Sequence, residues 1–296
     1  MHKRYRWLNA AFAMLLLLGL AAAGCAGVEE EEEAMPAEEP VAEPAPAALD
    51  RSVLEDETRP EDEVAQDTSR KAIDVYEFLG LQPGMSVADV WPGGGYNTHL
   101  LSRLVGAEGK VHAIMGFYTA GQFATLEPLT ARVADAHLDN VEIVLAFDDM
   151  EPDTVDLAIT VRNYHDQEDL SDGRQAAADS LYQIVKPGGV VGIVEVATDR
   201  EGWDTETHRL NEATVIEEFI AAGFALEDRS DMLANPEDDH STTGFTEGRH
   251  TMDRYLLKFR KPDAGGEGDD ESEDEGDDES EDESDDENDD EGTDES

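Results

Sequence analysis

The sequence has little positive charge for its length, because its 296 residues include 21 Lys and Arg against 72 Asp and Glu. Nucleic-acid binding is therefore not expected, since no basic stripe is available to neutralise phosphates. Lysine is scarce, and acidic residues outnumber basic ones even in the central part of the chain. This composition is typical of a surface adapted to high salt, where hydrated carboxylates keep a protein soluble and counterions screen their repulsion.

Cysteine is nearly absent, and the longest apolar run is too short for a comfortable membrane span. Cys25 is the only cysteine, so the fold has to be stable without an internal disulfide. The apolar stretch at residues 8–23 is short for a membrane span and follows basic residues, as in a secretory signal. Cys25 follows L-A-A-A-G, which resembles a bacterial lipobox, although Ala22 stands where leucine is usual. The resemblance implies that residues 1–25 are a signal peptide. It also implies that Cys25 is lipidated and that the protein is exported and anchored by lipid to the bacterial cell envelope, on the periplasmic side and in the outer membrane if the cell has one.

Two further segments have compositions that cannot form a core. Residues 26–50 are rich in Glu, Pro and Ala and are expected to be a disordered tether. Residues 263–296 form a loose acidic repeat, which self-repulsion keeps disordered. The repeat lacks the alternating ligands and turn glycine of a calcium loop, so diffuse cation binding is the alternative to a solvated tail. No discrete metal site is predicted, and residues 51–262 are ample for one folded domain.

Within that domain, apolar runs alternate with helical periods. The apolar runs are nearly continuous, which indicates strands buried on both faces and a doubly wound α/β fold. The last two predicted strands have no helical period between them and should therefore pair antiparallel. The prediction is a mainly parallel seven-stranded sheet with a C-terminal antiparallel hairpin. Its strands are predicted at residues 87–91, 110–115, 141–145, 155–161, 190–197, 224–232 and 254–260.

The most informative segment is V-A-D-V-W-P-G-G-G-Y at residues 87–96, where an apolar strand leads into three glycines. Gly93, Gly94 and Gly95 allow a tight turn and let a ligand approach the backbone amides at a helix N-terminus. This pattern is typical of a nucleotide-type cofactor site. Many strand-to-helix turns, however, need glycine for backbone geometry only.

The order of these parts resembles a class I S-adenosylmethionine-dependent methyltransferase, over about residues 51–262. The segment L-Y-Q-I-V-K-P-G-G at residues 181–189 is similar to the turn into the fifth strand of that family. R-N-Y-H-D at 162–166, H-R at 208–209 and A-A-G-F at 221–224 resemble an uncharacterised exported subgroup of predicted methyltransferases. The resemblance implies a Rossmann-like fold, S-adenosyl-L-methionine as cofactor and a small-molecule methyl acceptor of unknown identity.

The resemblance also implies roles for individual residues around the cofactor. Asp89 would anchor the loop or the cofactor's amino group, and the methionine end would lie against the loop residues Gly93, Gly94, Gly95 and Tyr96.

The adenosine end of the cofactor would be held by residues that follow the next two strands. Phe147 would stack on adenine and Asp148 would accept a hydrogen bond from its amine, with a solvated turn as the alternative for the Asp148–Asp149 pair. Two positions depart from the family pattern. Trp91 replaces the usual first glycine, and Met115 stands where an acidic residue would bind the ribose hydroxyls, which a thioether cannot do well.

On the acceptor side, the resemblance places four residues near the substrate. His165 could remove a proton from the nucleophile, with Tyr164 orienting it. Asn163 and Glu195 would contact the substrate. A structural hydrogen-bonding role is the alternative for His165, and a capped carboxylate is the alternative for Glu195.

Near the start of the last predicted helix, H-R at residues 208–209 is expected to be structural, with Asn211 as the N-cap.

Three functions remain open from the sequence. An anchored methyltransferase agrees best with the motifs, although S-adenosylmethionine is made in the cytosol and should be scarce outside it. Trp91 and Met115 favour the alternative of a non-catalytic, ligand-binding lipoprotein with a degenerate methyltransferase fold. A different Rossmann-type enzyme that uses a nucleotide is the third, and the terminal hairpin speaks against it.

Overall fold

The structure is a computed structural model that describes residues 48–116, 124–170, 172–244, 246, 249 and 251–263. The predicted signal peptide, the lipidation site Cys25, most of the tether and nearly all of the acidic tail lie outside these residues. In the described part, no helix combines the length and apolar character needed to cross a membrane.

The centre of the fold is a seven-stranded sheet with the order β3-β2-β1-β4-β5-β9-β8, and β6 and β7 form a separate two-stranded sheet. Strands β1 to β5 are parallel, whereas β9 pairs antiparallel with both β5 and β8. The predicted fold class, including its C-terminal antiparallel hairpin, is confirmed. The strands are β1 (Ser86–Val90), β2 (Lys110–Ile114), β3 (Val141–Val144), β4 (Val155–Val161), β5 (Val185–Val196), β6 (Trp203–Asp204), β7 (Arg209–Leu210), β8 (Ala225–Ser230) and β9 (Arg254–Arg260).

Helices cover both faces of this sheet. Each long helix presents an apolar stripe at helical spacing, which is what buries it against the strands. Short 3-10 helices occur at Arg51–Glu55 and Phe147–Asp149. The α-helices are α1 (Glu61–Val64), α2 (Asp67–Arg70), α3 (Ala72–Leu79), α4 (Tyr96–Val105), α5 (Leu126–Asp135), α6 (Gln167–Leu170), α7 (Arg174–Ile184) and α8 (Glu212–Ala221).

The core consists of two apolar layers, one on each face of the sheet. On one face, side chains of β4, β5 and β9 pack with α7 and α8; Leu181 and Phe219 of these helices are fully buried. On the other, Leu157 and Ile159 of β4 pack with α3 and α4. Burial on both faces explains why the strands read as nearly continuous apolar runs.

Strand β5 differs from the prediction at its start, since it begins at Val185 rather than at residue 190. Val185 already pairs with Val155, ahead of an irregularity in the ladder between Val155 and Leu157. The K-P-G-G segment therefore belongs to the strand, although its glycines and proline are weak strand formers.

The segment between β8 and β9 is held by a buried ion pair. Arg209 donates to Asp238 at 2.9 Å through Nη1 and to the carbonyl oxygen of Thr242. Asn211 caps α8 by accepting a hydrogen bond from the amide of Ala213. The predicted N-cap is confirmed, and Arg209 has a structural contact.

Candidate functional site

The glycine loop lies at the carboxyl end of β1, where open parallel sheets bind ligands. Gly93 and Gly95 have φ of +56° and +89°, which favour glycine, and α4 begins directly after Gly95. A Cβ built on Gly93 or Gly94 meets no described atom within 4 Å, so this side of the loop is open. A Cβ on Gly95 would lie 2.6 Å from Cδ1 of Leu129, because α5 packs there. Gly93 and Gly94 therefore face the ligand side, and Gly95 serves helix packing.

Asp89, in strand β1, is hydrogen-bonded to helix α4. Its carboxylate is buried and accepts a hydrogen bond of 2.6 Å from Oγ1 of Thr98. Burial raises the pKa of Asp89 to about 7, although the bonds from Thr98 and the charge of Arg70 act in the opposite direction. This contact joins the strand before the glycine loop to the helix after it, and the two roles predicted for Asp89 stay predictions.

A cavity of about 190 Å³ lies against the open side of the loop. Ligand pockets are commonly about 300–1,000 Å³, so this one fits part of a nucleoside cofactor. A larger cavity of about 720 Å³ lies at the amino ends of β2 and β3, the opposite edge of the sheet from the loop. The smaller cavity is lined by Glu63, Arg70, Trp91, Pro92, Gly93, Gly94, Tyr96, Asn97, Val161 and Asn163.

Arg70 supplies positive charge to the wall of this loop cavity. Its guanidinium lies 4.1 Å from the ring centroid of Tyr96 and donates to Gln66. The hydroxyl of Tyr96 is directed to Asp67, to which it donates at 2.7 Å. Glu63, the acidic residue of the wall, is paired with Arg132. Among the described residues no carboxylate forms an ion pair with Arg70, which leaves its charge available to a ligand.

The indole of Trp91 lies at the carboxyl ends of β2 and β3, beside the glycine loop. Its indole is 1% exposed and meets Phe147 edge to face, with ring centroids 5.9 Å apart. A Cβ built on Gly116 would lie 2.7 Å from Nε1 of Trp91, and Met115 beside it is fully buried. The backbone of Trp91 has φ +54°, in the left-handed region that glycine adopts without strain. The region where the resemblance places ribose and adenine thus contains an indole, while Asp148 is exposed.

A cluster of three arginines lies next to the loop cavity. Arg70, Arg162 and Arg254 line a small cavity of about 20 Å³, and Asn97 and Val161 border both cavities. Burial, together with the charges of Arg70 and Arg254, lowers the pKa of Arg162 to about 10.

Within the described part of the chain, no member of this arginine cluster has a carboxylate at ion-pair distance, whereas Arg59, Arg132 and Arg209 are all paired. The buried Nε of Arg162 has no hydrogen-bond partner, and the residue has φ +60°. Strained backbone and unsatisfied charge are features of binding sites, and here they suit an anion.

The residues that follow β4 point in different directions. Asn163 lines the loop cavity, and its Nδ2 donates to the carbonyl oxygen of Trp91 at 2.6 Å. Tyr164 is buried, and its hydroxyl donates toward Glu218 and the carbonyl of Arg174. The pKa of Tyr164 is raised, mainly by burial. Its hydroxyl therefore belongs to the α7–α8 side of the core and does not orient His165.

His165 is held by Glu195. Nδ1 of His165 donates to the carboxylate of Glu195 at 2.8 Å, and the backbone amide of Tyr164 donates to the same carboxylate at 2.8 Å. Glu195 is fully buried and His165 is 4% exposed. Burial lowers the pKa of His165, but the carboxylate of Glu195 outweighs it, and the net shift is upward. The structure thus joins two residues predicted separately, and Glu195 contacts His165 from inside the fold.

His165, Asp166 and His208 form a compact group on the other side of the imidazole. Nε2 of His208 lies 3.0 Å from Oδ1 of Asp166, and Nε2 of His165 lies 3.4 Å from the same oxygen. The two imidazole rings meet edge to face with centroids 4.8 Å apart, and Trp203 packs beside both. His208 has φ +59°, a conformation uncommon for histidine.

Sequence reasoning missed several of these residues. Arg70 and Arg254 lie at the two ends of the folded domain and belong to no recognised motif. Asp166 and His208 are within quoted motifs, but 42 positions separate them. The scarcity of basic residues was a signal that could have found the arginines. In so acidic a chain, an arginine that forms no ion pair is a candidate for binding an anion.

Comparison with known proteins bears on this geometry. The family model of protein-L-isoaspartate(D-aspartate) O-methyltransferase matches residues 63–146, which include the glycine loop and the first three strands. A comparison with curated proteins found no match. An S-adenosylmethionine-dependent methyltransferase from Aquifex aeolicus is 20% identical with a TM-score of 0.51, and the alignment covers 72% of this chain and 99% of that one.

A second solved structure, the [4+2]-cyclase SpnF, is 18% identical with a TM-score of 0.50, and the alignment covers 67% of this chain and 82% of that one. These similarities show that the domain has the Rossmann-like fold of S-adenosylmethionine-dependent methyltransferases. Because a cyclase has a similar fold, the fold by itself does not fix the reaction.

Proposed function

We propose that the protein is an S-adenosylmethionine-dependent methyltransferase that acts on a small, negatively charged acceptor. The observation that supports this most directly is the open glycine loop. Gly93 and Gly94 face a cavity at the carboxyl end of β1, in a fold similar to that of an S-adenosylmethionine-dependent methyltransferase. When bound, the cofactor's sulfonium supplies an electrophilic methyl group.

The described residues fit the amino-acid half of the cofactor. The loop amides lie at the N-terminus of α4, and Arg70 offers a guanidinium to the methionine carboxylate. At the adenosine half, Trp91 and Met115 differ from the usual glycine and acid, and residues 117–123 lie outside the described part. Phe147 remains available as an aromatic contact.

Methyl transfer proceeds by in-line displacement, so the protein has mainly to align the acceptor and exclude water. The proposed acceptor site is the arginine cluster, because Asn97 and Val161 border both its cavity and the loop cavity. A cavity of about 20 Å³ admits a group the size of a water molecule or a carboxylate oxygen. Arg162 and Arg254 would bind the anionic group, and Asn163 would hold the end of β4 against the loop through its bond to Trp91.

Calorimetric titration of the purified protein with S-adenosylmethionine and S-adenosylhomocysteine in molar salt tests the cofactor. Heat of binding and an increase in Tm are expected. Absence of both effects at millimolar ligand would overturn the proposal. Methyl-labelled cofactor, incubated with small carboxylates and their matched amides, then tests the acceptor. Label is expected in products from the carboxylates in preference to the amides.

The buried indole of Trp91 favours a second candidate, a non-catalytic lipoprotein that binds a smaller ligand in the loop cavity. The two candidates differ in the labelling experiment. Binding of cofactor without transfer to any acceptor would favour the binding protein, whereas labelled product would exclude it.

We also propose that the protein is exported and anchored to the cell envelope through lipid on Cys25. The support is the lipobox-like sequence alone. Metabolic labelling with a palmitate analogue should label the wild-type protein and not Cys25→Ser. Equal labelling of both proteins would contradict a lipid anchor on Cys25.

A further inference from the structure

The group formed by His165, Asp166 and His208 has the composition of a metal site. We propose that these three side chains bind one divalent first-row transition metal ion, of the Zn²⁺ class, at the carboxyl edge of the sheet. The sequence predicts no such site, because His208 reaches the group only through the β6–β7 hairpin. The proposal does not depend on methyl transfer, because its test measures the metal bound to the protein.

The positions of the ligand atoms agree with such an ion. One nitrogen of each histidine and one carboxylate oxygen of Asp166 all lie within 4.8 Å of one another. Two of these separations are 3.0 and 3.4 Å. A tetrahedral ion with bonds of about 2.0–2.2 Å separates its ligand atoms by about 3.3–3.6 Å. Small side-chain movements therefore bring the three atoms into place around a metal.

The hydrogen bond from His165 to Glu195 is what metal-ligating histidines usually make. A carboxylate that accepts a hydrogen bond from Nδ1 fixes the tautomer with the proton on that nitrogen and directs Nε2 at the metal. Glu195 is itself fixed by the amide of Tyr164, so the imidazole has a defined orientation. The tautomer follows from the network, since an ionised carboxylate can only accept.

This tautomer creates a conflict that a metal resolves. With the proton on Nδ1, Nε2 of His165 presents a lone pair to Oδ1 of Asp166 at 3.4 Å. Two acceptors facing each other repel unless a proton or a cation lies between them. The rival to the metal is therefore a buried imidazolium, bridging Glu195 and Asp166.

Two histidines and one carboxylate are suitable ligands for Zn²⁺, Fe²⁺ or Co²⁺. With three protein ligands, a further position stays open to water or to an oxygen of an acceptor. The indole of Trp203 shields the two imidazoles on one side.

Co²⁺ titration of the full chain, after removal of metal with a chelator, tests the proposal. Molar salt suppresses diffuse binding to the acidic tail. We expect one Co²⁺ per chain with visible absorption bands typical of nitrogen and oxygen ligands, and displacement of these bands by Zn²⁺. Elemental analysis after dialysis should give one Zn²⁺ per chain.

His208→Gln and Asp166→Asn should each abolish the bands, and His137→Gln, at an exposed histidine, should leave them unchanged. Glu195→Gln should weaken binding about 10- to 100-fold and shift the bands, because it alters the partner of a ligand. Circular dichroism confirms that each variant is folded. Absence of bands in the wild type, or equal bands in folded His208→Gln, would overturn the proposed metal site. The buried imidazolium of His165 would then be the explanation of the cluster.

Discussion

Nδ1 of His165 donates a 2.8 Å hydrogen bond to the carboxylate of Glu195, and both residues are buried. Glu195 lies in β5 and His165 follows β4, and the carboxyl ends of these neighbouring parallel strands meet at one edge of the sheet. Glu195 is fully buried and contacts His165 from inside the fold. Its role is to fix which nitrogen of His165 is directed toward Asp166 and His208.

Gly94 is the position at which the cofactor pocket can be closed without damage to the fold. Its φ is not positive, and a Cβ there meets no described atom within 4 Å. We expect Gly94→Trp to weaken S-adenosylmethionine binding by at least about 10-fold, or about 1.4 kcal/mol, while the Tm stays close to that of the wild type. Calorimetry and thermal unfolding measure the two effects.

Gly94→Ala is the matched control and should bind nearly as the wild type does. Gly95→Ala should instead lower the Tm, because its Cβ would meet Leu129 of α5. Unchanged affinity in folded Gly94→Trp would place the cofactor elsewhere.

Trp91→Gly tests whether the indole takes up space meant for adenosine. Loss of a buried Trp side chain costs about 3–5 kcal/mol of stability, offset in part because glycine accepts φ +54° without strain. We expect a lower Tm together with S-adenosylmethionine binding at least about 10-fold tighter. Phe219→Ala, a core change away from the loop, should lower the Tm without tighter binding. Equal affinities in Trp91→Gly and the wild type would show that the indole does not compete with the ligand.

Asp89 should give the stability of the protein a defined pH dependence. Its pKa is raised from 3.8 to about 7, so the native state retains a proton that the unfolded state has lost between these values. Stability contributed by the protonated form is present below about pH 4 and is lost as pH rises to about 7, by at most about 1.4 kcal/mol per pH unit. Asp89→Asn does not titrate.

The difference in unfolding free energy between wild type and Asp89→Asn should therefore decrease from pH 4 to pH 7 and then level off. Urea unfolding across this range measures it, with Asp148→Asn at an exposed position as the control. A difference that stays constant with pH contradicts the shift.

Arg162→Met removes a half-buried charge that has no carboxylate partner among the residues that the structure describes. We expect the free energy of unfolding to rise by about 1–3 kcal/mol, because the desolvated guanidinium and its repulsion from Arg70 and Arg254 are removed. We also expect kcat/KM for carboxylate acceptors to fall at least about 10-fold, with little change for neutral analogues. Arg162→Lys keeps the charge, so its kcat/KM for carboxylate acceptors should fall less than that of Arg162→Met. A destabilised Arg162→Met with unaltered acceptor preference would argue that the cluster is structural.

The strands were the most predictable part of the fold. Strands β4 and β9 coincide with the predicted residues 155–161 and 254–260, because strands buried on both faces show their burial as continuous apolar sequence. Helices α1 and α2 were not predicted. Each has only four residues, too few for a helical period to appear in the sequence.

The candidate site was predictable only where its residues are close in sequence. The loop at Gly93 and Gly94 was found because three successive glycines have a local meaning for the backbone. The orientation of Tyr164 was not, since nothing in N-Y-H-D shows that its hydroxyl meets Glu218, 54 positions away.

By itself the sequence determined where the strands, the terminal hairpin and the glycine turn lie, because periodicity and backbone preference act over a few residues. Tertiary structure alone decided that the indole of Trp91 lies against Gly116 and Phe147, that Arg70, Arg162 and Arg254 share one cavity, and that His208 joins His165. These groupings join residues far apart in the chain. Their proximity depends on how helices and loops pack on the sheet, and no short-range pattern encodes it.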